Sequence, residues 1–464
     1  MIFEQHYLAC LSQASYLIGD ESTQTAVVVD PRRDVELYLE RAAELGLSIR
    51  HVFLTHFHAD FVAGHLELVA RTGCTLHLGA KARADFPFEP ARQGDVLALG
   101  RVRIEVLETP GHTPESISLA VTDLDDARPA PQRLLTGDAL FIGDVGRPDL
   151  LVSIGHTAEE LAGQLYDSLR TRILKLPDST VVYPAHGAGS ACGKSLSKDT
   201  FDTLGAQRRA NWALHPMARE DFVRRLTADN PPPPSYFTWD ADYNRRVRPT
   251  LDDVLADGRR ELALDEVLAR QAAGAVVLDV RVPDVYAAGH LASSVNVGLN
   301  GRFASWVGTV VPRQTELVVV AEPGTEDEAI TRLARIGYDR VAGCLAGGPA
   351  AWAARPELVR RHRRIGVDQL AAELAAPGAP AVVDVRAPGE YEGGHIEGAL
   401  LVPLDRLEEE LGRIPRDRPF VVQCQGGYRS SIAASLLERH GIDVAGDLIG
   451  GYGAWTEAGR PVVR

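Results

Sequence analysis

The sequence predicts an α/β chain of three domains, and three observations carry that prediction. Short apolar, β-rich runs alternate with longer amphipathic segments through residues 1 to about 225. Four prolines interrupt the pattern within NPPPPSYF, Asn230 to Phe237. The remainder contains an internal repeat. At 464 residues there is material for two to four separately packed cores.

The elements of the first domain follow in order. The runs TAVVVD, HVFLTH, VRIEVLETP, RLLTGDALF and TVVYPAHG read as strands, and Asp34 to Leu45 and Ala158 to Leu174 read as helices. HADFVAGHLELVARTG, from His58, also has helical periodicity. Beyond the prolines, VVLDVRVPDVYAAGHLASSVNV is repeated as AVVDVRAPGEYEGGHIEGALLV, with Arg281 falling on Arg386 at an offset of 105 residues. VAGCLAGGPAAW is repeated as VAGDLIGGYGAW, with Trp352 falling on Trp455 at an offset of 103. The expected domains are residues 1–235, 255–358 and 362–464.

Charge and cysteine usage narrow the function classes. The 49 basic and 63 acidic residues leave a net charge of −14, which disfavours a nucleic-acid partner. RRHRR, Arg360 to Arg364, is the one basic cluster, and it reads as a solvated linker between patterned segments. Five scattered cysteines without CxxC pairing argue against a disulfide framework and point to a reducing compartment. There is no signal-like N-terminus and no apolar stretch of about eighteen residues. We therefore expect a cytoplasmic protein with no membrane partner, and a homo-oligomer.

Chemistry concentrates where predicted strands end. THFHADF brings His56, His58 and Asp60 to a strand-to-helix loop, the place where α/β folds carry reactive groups. ETPGHTPES adds His112, LLTGDALF adds Asp138, and VVYPAHGAG adds His186. Imidazoles and carboxylates in this combination suit zinc, iron or manganese. The glycine-rich HGAGSACG fits neither GxGxxG nor a Walker loop, and its Cys192 reads as structural.

The order HxHxD, GHTP, TGD, PAHG resembles the metallo-β-lactamase fold, which implies an αββα sandwich with metal between the sheets. Members of that superfamily often extend the motif to HxHxDH, where the last histidine serves a second metal. Phe61 stands there in this chain and offers no lone pair. One metal on two histidines and a carboxylate suits Fe(II) binding a substrate and O2, whereas two-zinc hydrolases clamp a bridging hydroxide. Persulfide dioxygenases of the superfamily are similar, and the resemblance implies one Fe(II) per chain on His56, His112 and Asp138. It implies orienting and polarising roles for His58, Asp60 and His186. GRPD also resembles an element of those enzymes, which makes Arg147 a candidate substrate or structural anchor.

In the last domain the apolar run PFVVQ enters CQGGYRS and then a helix. Backbone N–H groups and the helix N-terminus point at Cys424, an arrangement that favours an anionic sulfur, and Arg429 adds positive charge. Protein tyrosine phosphatases place five residues between such a cysteine and arginine; here there are four, Gln425 to Tyr428, and a shorter loop suits a sulfane sulfur. With DVRAPGEYEGGHIEGA this resembles rhodanese, a persulfide-carrying sulfurtransferase. In the middle domain the corresponding loop is AEPGTEDE, with Ala321 in place of the cysteine and Glu326 in place of the arginine. Its carboxylates repel an anionic sulfur, so that copy is expected to be silent. Cys10, Cys74 and Cys344 read as structural.

These resemblances imply a persulfide dioxygenase fused to an inactive and an active rhodanese domain. Its partners would be a low-molecular-weight thiol persulfide, O2, sulfite and thiosulfate, in sulfide detoxification. Two alternatives stand beside it: a zinc thioester hydrolase of the glyoxalase-II type with a sulfurtransferase tail, and a persulfide sensor or carrier.

Overall fold

The computed structural model describes residues 1–150, 155–228, 230 and 232–464; Pro231, in the four-proline run, lies outside them. The chain divides into two compact units, the first comprising Met1–Leu251 with Ala334–Gly337, the second Asp252–Leu333 with Tyr338–Arg464.

The first unit holds two six-stranded sheets. One runs in the order Ile2–Leu8, Gln13–Asp20, Thr25–Val29, Ser48–Phe53, Thr75–Gly79 and Glu89–Ala91. The other runs Asp202–Thr203, Val181–Pro184, Arg133–Gly137, Ile117–Asp123, Val102–Glu108 and Val96–Leu99. Strand alternation explains why they stack. Val27 and Val29 face one way and meet Ile104, Leu119 and Leu135 of the other sheet. On the second sheet's outer face, Leu134 and Val182 pack against Ala162, Leu165 and Leu169 of the helix Ala158–Thr171. That helix begins with a reciprocal capping box between Thr157 and Glu160. Helices Glu36–Glu44 and His65–Thr72 lie against the first sheet. The result is the αββα sandwich expected.

One local expectation is corrected. The helix following the first motif begins at His65, not at His58. The intervening backbone bonds to Asn244 instead of to itself: the Asn244 amide donates to the carbonyls of His58 and Phe61 at 2.8 Å each, and Ala63 N–H donates to Asn244 Oδ1 at 2.9 Å. Arg248, nearby in sequence, forms a buried ion pair with Glu67. Both residues lie past 235, and the compact unit accordingly runs on to Leu251.

The second unit contains two five-stranded sheets of the same order. Val276–Asp279 and Leu317–Val320 are fully buried in one, Ala381–Asp384 and Phe420–Gln423 in the other, as expected of parallel strands covered on both faces. The repeated motif is structural in both copies. Arg281 and Arg386 are buried and pair with Asp279 and Asp384, while Tyr286 stacks on His290 at 3.8 Å and Tyr391 on His395 at 3.7 Å.

Candidate metal centre and cysteine loop

His56, His112 and Asp138 come together where strands of the two sheets end, all buried, each offering one ligand atom within 4.8 Å of the others. Their neighbours settle which atom is offered. Thr55 donates its hydroxyl to Asp30 Oδ2 (2.8 Å) and so accepts from His56 Nδ1 (3.0 Å), leaving His56 Nε2 with its lone pair facing inward. His112 Nδ1 donates to the Arg147 carbonyl at 2.8 Å, which frees His112 Nε2 in the same way. Asp138 Oδ1 accepts from His186 Nδ1 at 2.8 Å, and its other oxygen, Oδ2, lies 3.4 Å from His112 Nε2 and 3.7 Å from His56 Nε2.

His56 Nε2 and Asp138 Oδ2 have no hydrogen-bond partner among the described residues. Buried polar atoms left this way cost free energy unless something binds them, and a cation is what two imidazole lone pairs and a carboxylate accept. The residues thus fit a metal. Burial holds the imidazoles of His56 and His112 below their usual range, in the neutral ligating form. Burial alone would raise Asp138, but the facing His186, His56 and His112 outweigh it and keep the carboxyl well below the usual range. Gly146 permits the close packing behind the cluster, because a Cβ there would fall 2.1 Å from the Asp138 carbonyl and 2.9 Å from His112 Nδ1.

His58, Asp60 and His186 form a second group beside the first. Phe61 is buried with its ring 4.4 Å from that of His58. His186 spans two carboxylates, with Nδ1 on Asp138 and Nε2 2.9 Å from Asp60 Oδ2. Burial opposes its charge, yet Asp138 and Asp60 raise it well above the usual histidine range. His58 Nε2 lies 3.1 Å from Asp30 Oδ1. Arg147 is buried, its guanidinium engaged by Asp149 at 2.7 Å while its carbonyl orients His112. Cys192, in the glycine-rich turn, lies against Asp138 and His186, so the sequence reading missed its proximity to the cluster. Burial first, then Asp60 and Asp138, push its thiol well up.

Asp30 and Thr55 were also missed, since a residue 25 positions before Thr55 leaves no motif in the sequence. Their role predicts that Thr55→Val, which removes the acceptor for His56 Nδ1, weakens metal retention by roughly 10- to 100-fold, read by competition with a chelator.

In the second unit Cys424 is buried at the end of Phe420–Gln423, facing the helix Tyr428–Arg439. Gly427, in the left-handed region at φ 85°, turns its N–H to donate to Cys424 Sγ at 3.1 Å. The Cys424 thiol lies 3.8 Å from Ser430 Oγ. Arg429 is not free: both its terminal nitrogens donate to Glu390 at 2.7 Å, a residue the sequence reading had not singled out. In the middle copy Gly324 keeps the turn at φ 86°, and Ala321 is buried where the cysteine would be. The Gly324 N–H there donates to Glu326 Oε2 at 2.7 Å, so the anion-facing amide is satisfied by the loop's own carboxylate. Cys344 is pushed up to about 12 by burial and by Glu326 and Asp327, and we expect it to stay unalkylated by iodoacetamide at pH 8, as peptide mass spectrometry would show.

RRHRR is not a solvated linker throughout. His362 Nε2 lies 2.7 Å from Asp447 Oδ1, and Arg364 donates to both Asp447 oxygens at 3.1 Å. Asp447 is wholly buried, and an unpaired carboxylate there would be costly, which explains why two basic residues fold inward.

Comparison with known proteins agrees with the fold of both units. The family described as Metallo-beta-lactamase superfamily matches residues 8–186, and Rhodanese-like domain matches 263–355 and 366–458. The mitochondrial persulfide dioxygenases of Bos taurus and Homo sapiens are each 30% identical over 240 residues, covering 50% of this chain and 83% of theirs. A hydroxyacylglutathione hydrolase of Rhodospirillum rubrum is 33% identical over 184 residues, covering 39% of this chain and 65% of its own. A solved Staphylococcus aureus metallo-beta-lactamase is 32% identical with a TM-score of 0.66, covering 74% of this chain and 98% of that one. Fold and sites thus define an αββα domain with a buried His/Asp cluster that fits a metal, fused to a duplicated rhodanese-like fold. The chain belongs to the metallo-beta-lactamase superfamily, with persulfide dioxygenase homology in that domain and two rhodanese-like domains after it.

Proposed function

We propose that the chain is a persulfide dioxygenase with a sulfurtransferase domain. It takes a low-molecular-weight thiol persulfide, O2 and water to thiol and sulfite, at one Fe(II) held by His56, His112 and Asp138. The carrying observation is the convergence of two Nε2 lone pairs and one carboxylate oxygen, with Phe61 where a second metal would need a ligand. Iron held by such a set would supply one-electron chemistry toward an anionic sulfur and O2 that zinc lacks.

The chain's own residues do the rest. Asp30 and Thr55 orient His56, and the Arg147 carbonyl orients His112. His186, held between Asp60 and Asp138, fixes the Asp138 carboxylate so that Oδ2 faces the two imidazoles. Phe61 and the buried lining limit water. Arg147 acts as a structural anchor. In the last domain, Cys424 accepts a sulfane sulfur and passes it to sulfite, giving thiosulfate, or runs the reverse; the Gly427 amide, and Arg429 paired to Glu390, form its anion-facing loop. The middle domain is silent. Free cysteines throughout fit a reducing, cytoplasmic setting.

A second reading, thioester hydrolysis with zinc, is favoured by the similarity to hydroxyacylglutathione hydrolase. Protein reconstituted separately with Fe(II) and Zn(II) separates the two. The proposal expects persulfide oxidation from the iron form and no S-lactoylglutathione hydrolysis above background from either. Hydrolysis by the zinc form, with an inert iron form, would replace it.

A further inference from the structure

Among the described residues, the Cys424 sulfur accepts from the Gly427 amide at 3.1 Å and lies 3.8 Å from the Ser430 hydroxyl. Both groups are tied to one buried carboxylate. Ser430 donates to Asp447 Oδ2 at 3.1 Å, and Arg364, which donates to both Asp447 oxygens, also donates to the Gly427 carbonyl at 3.2 Å. His362 completes the cluster at 2.7 Å. Arg364 reaches further: its remaining nitrogen donates to Asp284 Oδ1 of the middle repeat at 2.6 Å. The same repeat holds the start of the cysteine helix. Tyr428 donates to the Gly298 carbonyl at 2.6 Å, Ser431 to Asn296 Oδ1 at 2.8 Å, and Asn296 N–H donates to Ser435 Oγ at 3.0 Å.

We propose that Asp447 is the positioning residue of the sulfurtransferase loop: through Ser430 and Arg364 it fixes the hydroxyl and the amide that face Cys424, and through Arg364 it couples that geometry to the silent repeat. The physical reason is preorganisation. A serine hydroxyl rotates freely, and a glycine in a left-handed turn has a soft backbone, so neither holds its aim at the sulfur unless its other side is engaged. Asp447 engages the first directly and the second through a planar guanidinium whose donors are fixed relative to one another. The catalytically silent copy is then a structural half of the active site, supplying Asp284, Gly298 and Asn296. The inference rests on the reading of Cys424 as the sulfur carrier, and it adds the group that aims the loop.

The test uses full-length protein and two readouts. One is steady-state sulfur transfer from thiosulfate to a thiol. The other is the rate of iodoacetamide alkylation at Cys424 across pH, followed by peptide mass spectrometry. Asp447→Asn should lower kcat about tenfold with KM for thiosulfate within about twofold, since small displacements at a reacting atom cost rate more than binding. Asp447→Asn and Ser430→Ala should displace the alkylation profile in the same direction, and Ser430→Thr should restore it. Where Asp447→Asn fails to fold, Asp284→Asn, at a side chain 78% exposed, should lower kcat about threefold with KM unchanged. Folded variants whose kcat and alkylation profile both match the wild type would overturn the proposal. A wild type without sulfur transfer would overturn the carrier reading instead, and the alkylation profiles would still decide the role of Asp447.

Discussion

Replacing His112 by alanine is expected to lower persulfide-dependent oxygen uptake by at least about a hundredfold, and to bring iron from one per chain to a small fraction of that. His112 contributes one of two imidazole lone pairs in a buried cluster, its ring held from the other side by the Arg147 carbonyl, and Phe61 beside the cluster has no donor. Removal leaves Asp138 Oδ2 facing His56 alone across 3.7 Å. Sulfur transfer at Cys424 should stay within about twofold of the wild type in the same variant, because the two sites lie in separately packed units. Iron content by emission spectrometry and oxygen uptake on one preparation check both halves.

Replacing Cys424 by serine is expected to give the converse. Oxygen uptake persists, while thiosulfate formed from sulfite and persulfide falls by at least about a hundredfold, and sulfite accumulates in its place. The middle repeat cannot compensate: Ala321 replaces the nucleophile, Glu326 occupies the amide that would face sulfur, and Cys344 sits in another strand with its thiol pushed up to about 12. Cys192 is buried against Asp138 and His186, with its thiol pushed well up by burial and then by the carboxylates of Asp60 and Asp138. Quantifying sulfite and thiosulfate against oxygen consumed reads the outcome. An unchanged product ratio would mean that the two activities are not coupled through Cys424.

Much of this was legible in the sequence because the chemistry sits in short motifs. THFHAD, GHTP, TGD and PAHG each end or follow a strand, so their clustering follows from strand-end geometry. The duplicated domains were legible because DVR and GH recur at nearly constant offsets, and both copies fold to the same strand order. The helix drawn from His58 failed because periodicity does not reveal that Asn244, nearly two hundred residues later, satisfies the loop's backbone. RRHRR was read as solvated because charge runs usually are; its inward members answer a buried carboxylate, Asp447, that composition gives no reason to single out. Glu390 lies inside the recognised DVRAPGEYEGG motif, yet its pairing with Arg429 depends on a turn that only the fold supplies. The partners that orient metal ligands and cysteine are long-range contacts, and these leave no local pattern.

The most direct measurement is oxygen uptake by the iron-loaded protein on adding glutathione persulfide, with sulfite and thiosulfate quantified in the same sample. The account predicts sustained uptake over many turnovers, abolished by His112→Ala and retained, with sulfite in place of thiosulfate, by Cys424→Ser. No uptake with glutathione persulfide or other low-molecular-weight persulfides would contradict it.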